Sequence, residues 1–342
     1  MILLNPLHRG DFVKKLTIRD IADEAGCSYA TVSRVLNNRN GVHPETYKRV
    51  METIEKLDYH PNAFARGLAT NTSHTIAIIV PDISNPYFAD IIASVEAETH
   101  KNGYELITCT SGWNIETEKR RLTFLQESQQ VDGIIIRPCA ENDKVYDKIT
   151  VPFVSLCQTD NSKYSYVDVD NHLASYDATK YLISRGYKRI AFLSGPKHSQ
   201  TCKLRVEGYL DALSDCGIKA DTSIIAYTKY SFSDGYDTMK ELLSRTPLPD
   251  AVFCFNDIMA ISAQRSAIEA GLSIPEDIGI LGFDDIYLAG IPQINLTTVS
   301  QSRSEIGKLA TGILMNAIQS QSPKITQKIL LQPDIVVRGS TK

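Results

Sequence analysis

Leu16-Thr-Ile-Arg-Asp-Ile-Ala-Asp-Glu-Ala-Gly-Cys-Ser-Tyr-Ala-Thr-Val-Ser-Arg-Val-Leu-Asn37 decides how this chain is read. Ile18, Ile21, Ala22 and Ala25 recur at helical spacing, so a first helix is expected from about Thr17 to Ala25. Gly26 is placed to stop it, because glycine adopts the left-handed backbone at helix ends without strain. Ser28 fits an N-cap for a second helix that turns Val32, Val35 and Leu36 inward. A third helix should start at Pro44, a good first-turn residue, and bury Tyr47, Val50, Ile54 and Leu57. Two short helices around Gly26-Cys27-Ser28 read as a helix-turn-helix. The second would present Tyr29, Ala30 and Thr31, with Arg34 one turn on. Arg34 can make two hydrogen bonds to guanine, and Tyr29 offers a ring and a hydroxyl. Ser28, Thr31 and Ser33 are short donors suited to phosphates. A small helical bundle used for protein contacts fits the spacing about as well.

Residues 61–74 have a different character. Pro61-Asn62 opens a very short helical candidate, Ala63 to Ala69, and Asn71-Thr72-Ser73 is a polar break. Two turns fall below the roughly 12–15 residues at which an isolated helix becomes marginal. Gly67 costs about 1 kcal/mol more relative to alanine. This segment is expected to be disordered alone and helical when bound.

From Thr75 the pattern becomes apolar strands alternating with amphipathic helices. Strands are expected at Thr75–Val80, Tyr104–Cys109, Asp132–Arg137, Val151–Leu156, Arg189–Leu193, Ala251–Phe255 and Ile278–Leu281. Helices are expected at Tyr87–Asn102 and near 171–186, 203–216, 233–244 and 257–270. That alternation implies parallel sheets covered on both faces. The fold expected is an α/β body of two doubly wound parallel-sheet subdomains behind an all-α headpiece. Such sheets bind ligands at the carboxyl ends of their strands.

Composition agrees with this class. The 342 residues are 43% hydrophobic and 22% charged, ordinary for a globular chain of more than one folding unit. No run of eighteen apolar residues suggests a membrane span, and no secretory signal opens the chain. Net charge is −4. Residues 1–70 carry a net +2 and residues 71–342 a net −6, which permits DNA binding by the head without showing it. Seven scattered cysteines without a CxxC read as reduced thiols, so the expected compartment is the cytoplasm. No metal and no cofactor is expected. GxGxxG after a strand, GxxxxGK[ST], GxSxG and HExxH are all missing, which disfavours an enzyme.

The residues from Leu16 to Asn37 closely resemble the headpiece of the lactose-repressor (LacI/GalR) family, and the resemblance runs from about Lys15 to Lys342. It implies a transcriptional repressor whose operator affinity is modulated by a small molecule held between two periplasmic-binding-protein-like subdomains. The domains expected are a headpiece at 15–60, a hinge at 61–74 and an effector-binding and dimerisation body at 75–342. Within the body, one subdomain takes about 75–170 and 300–329, the other about 171–299 and 330–342. Residues 1–14 are expected to be a disordered arm or the product of a start codon set too early.

By resemblance, DNA contacts are expected from Thr17, Ser28, Tyr29, Ala30, Thr31, Ser33, Arg34 and Asn37. Two hinge helices of a homodimer would enter the minor groove of a pseudo-palindromic operator, with Leu68 as an apolar wedge and Asn62 and Arg66 toward phosphates. The effector would meet Tyr87 and Phe88 of Pro81-Asp-Ile-Ser-Asn-Pro-Tyr-Phe88, with one of these aromatics expected in the core. It would also meet Arg205 of Arg205-Val-Glu-Gly-Tyr209, Tyr230, Asn256 and Asp284. Asp170 and Asn171, at a crossover, are open to a structural reading. The expected effector is a carbohydrate or carbohydrate derivative. Many relatives carry Asp-Arg where this chain has Cys157-Gln158, and glycine where it has Ala174, which departs from a standard hexose site. No leucine heptad tail follows Val336. A periplasmic-type sugar-binding module would share the body, but should carry an export signal and no helix-turn-helix. Ala-Thr-Val-Ser-Arg-Val and Ala-Arg-Gly-Leu also resemble the catabolite control protein of Gram-positive bacteria. The alternative is therefore a regulator switched by a phosphoprotein partner.

Overall fold

The computed structural model describes residues 16–36, 41–59, 72–127, 131–140, 144–159, 163–320 and 325–342. Asn37, Asn62, Arg66, Leu68 and the segment 1–14 lie outside the described residues. The chain divides into two units, Met1–Ser73 and His74–Lys342.

The described residues of the first unit form three helices: α1 (Ile18–Glu24), α2 (Tyr29–Leu36) and α3 (Pro44–Lys56). Thr17 opens α1 with a capping box: its hydroxyl accepts from the Asp20 N–H, and the Asp20 carboxylate accepts from the Thr17 N–H at 2.7 Å. Gly26 has φ +60°, the left-handed conformation expected of it. The Ser28 hydroxyl accepts from the Thr31 N–H at 3.1 Å and so starts α2. Ile21, Ala22, Ala25, Val32, Val35, Val50 and Tyr59 form one small core. Tyr47 differs from expectation: it is 40% exposed, and Tyr59 fills the core from beyond the helix end.

The second unit carries two six-stranded sheets. The first contains β1 (Thr75–Val80), β2 (Glu105–Thr110), β3 (Gly133–Ile136), β4 (Phe153–Ser155), β5 (Ser165–Val169) and β11 (Lys328–Leu331). Their order is β11-β5-β4-β3-β1-β2, all parallel. The second contains β6 (Ile190–Ser194), β7 (Ile225–Tyr227), β8 (Ala251–Cys254), β9 (Gly279–Asp284), β10 (Thr297–Ser300) and β12 (Asp334–Val336). Their order is β12-β10-β9-β8-β6-β7, with only β12 antiparallel. β11 runs to Leu331, so the last passage between sheets falls between Leu331 and Asp334 rather than at 329–330.

Helices cover both faces of each sheet, as apolar parallel strands require. α4 (Pro86–Lys101) and α10 (Arg303–Gln319) close one face of the first sheet, and α5 (Ile115–Glu127) the other. α6 (Asn171–Ser184) and α7 (Gln200–Asp215) close one face of the second, and α8 (Phe232–Leu243) and α9 (Asp257–Glu269) the other. α6 and α7 approach closely at Gly208, where a Cβ would lie 2.2 Å from the His172 carbonyl oxygen. All seven cysteines are free. Among the described residues no helix is long and apolar enough to cross a membrane.

Candidate effector site and DNA-reading face

The loops leaving the carboxyl ends of β1, β2, β3, β6, β8 and β9 converge between the two sheets. Arg205 comes from α7 and is 3% exposed. Its Nε donates to Asn171 Oδ1 at 2.9 Å and its Nη1 to the Phe255 carbonyl at 2.5 Å. Its guanidinium lies over Phe283 and Phe255. The motif Arg205-Val-Glu-Gly-Tyr209 thus serves three purposes: Arg205 faces the cleft, Gly208 admits α6, and the Tyr209 hydroxyl donates to the Ile190 carbonyl at 2.7 Å.

Asp284 ends β9 with φ +122° and is 5% exposed. Gln301 Nε2 donates to its Oδ1 at 2.5 Å, and the Tyr87 hydroxyl donates to Gln301 Oε1 at 3.3 Å. Tyr87 and Asp284 are therefore joined through Gln301. Burial pushes the Asp284 carboxyl up to about 7, against the pull of Arg205 and then Arg303. Burial, and then Asp284, also drive the Asp257 carboxyl well above the usual carboxylate range. Asp257 is held by the Thr298 hydroxyl at 2.5 Å and the Ile286 N–H at 2.9 Å. Burial raises the Tyr87 phenol as well, with Asp168 and Asp284 adding to it.

Two of the expected contacts have structural partners. Asn256 Oδ1 accepts from the Met259 N–H at 2.8 Å, so this side chain caps α9. Phe88 is 3% exposed within the core under α4, while Tyr87 reaches the cleft. Asp170 caps α6 by accepting from the Leu173 N–H at 2.9 Å. Asn171 bridges Asp168 and Arg205, its Nδ2 donating to Asp168 Oδ2 at 3.1 Å. Both crossover side chains thus have partners within the protein.

Three further cleft residues emerge only in the fold. Trp113 packs against Tyr230, with ring centroids 4.4 Å apart and planes inclined by 33°. Arg137 is 8% exposed; it donates to the Pro138 carbonyl at 2.7 Å and to Thr201 Oγ1 at 3.3 Å. Gln301 is the third. A signal existed for two of them: Trp113 is the lone tryptophan, and Arg137 is a cation ending the apolar run Gly133–Ile136. Cys157, which stands where many relatives carry Asp, packs its Sγ 3.5 Å from Thr201 Oγ1. A separate cavity of about 730 Å³ lies at the amino ends of β4, β5 and β11, away from these convergent charges.

In the headpiece, Tyr29 is 53% exposed, and Ala30 and Arg34 are also exposed on α2. Thr31 and Ser33 are half-buried. Ser28 and Thr31 share a hydroxyl–hydroxyl bond of 2.9 Å. The short donors thus start the helix, while Tyr29 and Arg34 project from it.

An exposed helix of a helix-turn-helix and a polar cleft between two periplasmic-binding-type subdomains define a DNA-binding regulator with a small-molecule domain. Comparison with known proteins agrees. Residues 17–62 match the model of bacterial regulatory proteins of the lacI family, and residues 73–332 match periplasmic binding proteins and the sugar binding domain of the LacI family. The chain belongs to the LacI family of transcriptional repressors and is not an enzyme. It is similar to the HTH-type transcriptional repressor PurR of Pasteurella multocida (strain Pm70), 37% identical over 332 residues, covering 95% of this chain and 98% of the relative. A lac repressor dimer bound to operator and the anti-inducer ONPF has TM-score 0.85 and 28% identity, covering 96% of this chain and 99% of the other. A transcriptional regulator CelR–cellobiose complex has TM-score 0.72 and 29% identity, covering 95% and 99%.

Proposed function

We propose that the chain acts in the cytoplasm as a homodimer on a pseudo-palindromic operator, and that its effector is a carbohydrate or carbohydrate derivative bound between the subdomains. The observation that carries this is the convergence of Arg205, Asp284, Gln301 and Tyr87 where the two sheets end. Buried donors and acceptors flanked by aromatic faces suit a ligand with hydroxyl groups on an apolar ring. The cellobiose complex of a structural relative supports the same class. Arg34 and Tyr29 read bases in the major groove, and Ser28, Thr31 and Ser33 contact phosphates. Thr17, exposed at the start of α1, is assigned to the operator by its place in the family motif alone.

Effector binding controls the operator through its differential affinity for two arrangements of the subdomains. The test is operator affinity at stated salt, because phosphate contacts make it salt-dependent. DNA from the promoters beside the gene is titrated with and without cellobiose, other sugars, sugar phosphates and nucleobases. A several-fold shift with a sugar or sugar derivative is expected. A shift with nucleobases alone overturns the carbohydrate class. Specific operator binding that no molecule shifts favours a phosphoprotein partner instead.

A further inference from the structure

We propose that Trp113 is the gate of the effector cleft, latched on Tyr230 at its mouth. This rests on the reading that the cleft takes an effector, although the latch can be measured without one.

β5 and β11 lie together at one edge of the first sheet, and β10 and β12 at one edge of the second. The passages between sheets leave from those edges, at Val169–Asn171, Ser300–Arg303 and Leu331–Asp334. Any bending about them moves the opposite edges furthest. Those edges are β2 and β7, and the turns that follow them carry Trp113 and Tyr230. The stack therefore joins the subdomains where opening displaces them most.

The position of the indole is built. Gly112 and Trp113 are both left-handed, with φ +62° and +55°. A bulky residue rarely adopts that conformation, and it persists where the surroundings over-determine it. Here they do. The Ser111 N–H donates to the Val80 carbonyl at 3.0 Å and the Gly112 N–H to the Pro81 carbonyl at 2.9 Å. The Asn114 N–H donates to the Ser111 carbonyl at 3.1 Å, and Asn114 Oδ1 accepts from the Thr117 N–H at 2.9 Å.

The opposite wall is equally specific. Tyr230 backs on Phe255, with centroids 5.0 Å apart. A Cβ at Gly195 would lie 2.4 Å from Tyr230 Cε1, so glycine there makes room for the ring. Arg137 reinforces the junction: its guanidinium lies 5.7 Å from the indole centroid while it donates to Thr201 across the cleft. Trp113 remains 37% exposed, which leaves it able to part from its partner.

Trp113 is the single tryptophan of the chain, so its emission reports the gate directly in the full-length protein. Acrylamide quenching of that emission is the measurement. Tyr230→Ala should raise the quenching constant at least two-fold, and Tyr230→Phe, which keeps the ring, should leave it unchanged. Gly195→Ala should displace Tyr230 and behave like Tyr230→Ala; it serves as the second variant if circular dichroism shows Tyr230→Ala unfolded. Quenching that is indifferent to both alanine variants overturns the gate, as does an equal rise in Tyr230→Phe. If no molecule shifts operator affinity but the quenching contrast appears, the effector reading fails and the latch stands. If an effector is found without that contrast, the gate alone fails.

Discussion

The guanidinium carbon of Arg205 lies 3.4 Å from the ring centroid of Phe283, inside a cleft wall where the arginine is almost wholly buried. Its planar fork serves Asn171 and the Phe255 carbonyl while its face meets the ring. Lysine can reproduce the charge but not the fork or the stacking. Arg205→Lys should therefore cost about 2–4 kcal/mol, because two buried acceptors lose their donors. Urea unfolding would show this, and a cost below 1 kcal/mol would contradict the geometry.

Asp284 links the cleft to pH. Its folded pKa of about 7 lies above the value of 3.8 expected when exposed, so the folded state holds the extra proton between those limits. The stability this contributes is full below about pH 4 and is lost as pH rises through 7. Asp284→Asn keeps an acceptor for Gln301 and has no proton to lose. Its stability relative to the unaltered protein should improve from pH 5 to pH 7, by at most about 1.4 kcal/mol per unit. Melting temperatures across that range check it; a difference that stays flat or falls would remove the buried-carboxyl explanation.

Gly208→Ala should destabilise the body. The added methyl meets the His172 carbonyl oxygen at 2.2 Å, an atom of the α6 backbone that cannot rotate away. Overpacking of this kind costs about 1–3 kcal/mol. Gly312 on α10 has open space at the same position and is the control. Equal melting temperatures for the two alanine variants would show that α6 and α7 tolerate the spacing.

Arg34→Ala should weaken operator binding by about 1–3 kcal/mol and relax the choice of base at one position in each half-site. Selection from a randomised half-site library reads this out. Weaker binding with unchanged preference would instead make Arg34 a phosphate contact.

What could be read without the fold was whatever local chemistry determines. Helical spacing and Gly26 located the turn of the headpiece, because capping and left-handed glycine act within a few residues. Apolar runs located β1 and β8, and the motifs around Arg205 and Asp284 marked two groups that the cleft brings together. Other strands escaped: β5 and β10 carry polar residues that break the apolar run, and β7, β11 and β12 are short strands at sheet edges, formed because a neighbouring strand supplies their hydrogen bonds.

The tertiary structure decided the rest. The cap that Asn256 gives α9 was not expected: the backbone brings the Met259 N–H to its Oδ1. Trp113 and Tyr230 are 117 residues apart, and Tyr87 and Gln301 are 214 apart. No spacing rule joins such pairs. They meet because two parallel sheets place the carboxyl ends of their strands toward one cleft, and only the order of strands within each sheet determines which side chains face each other there.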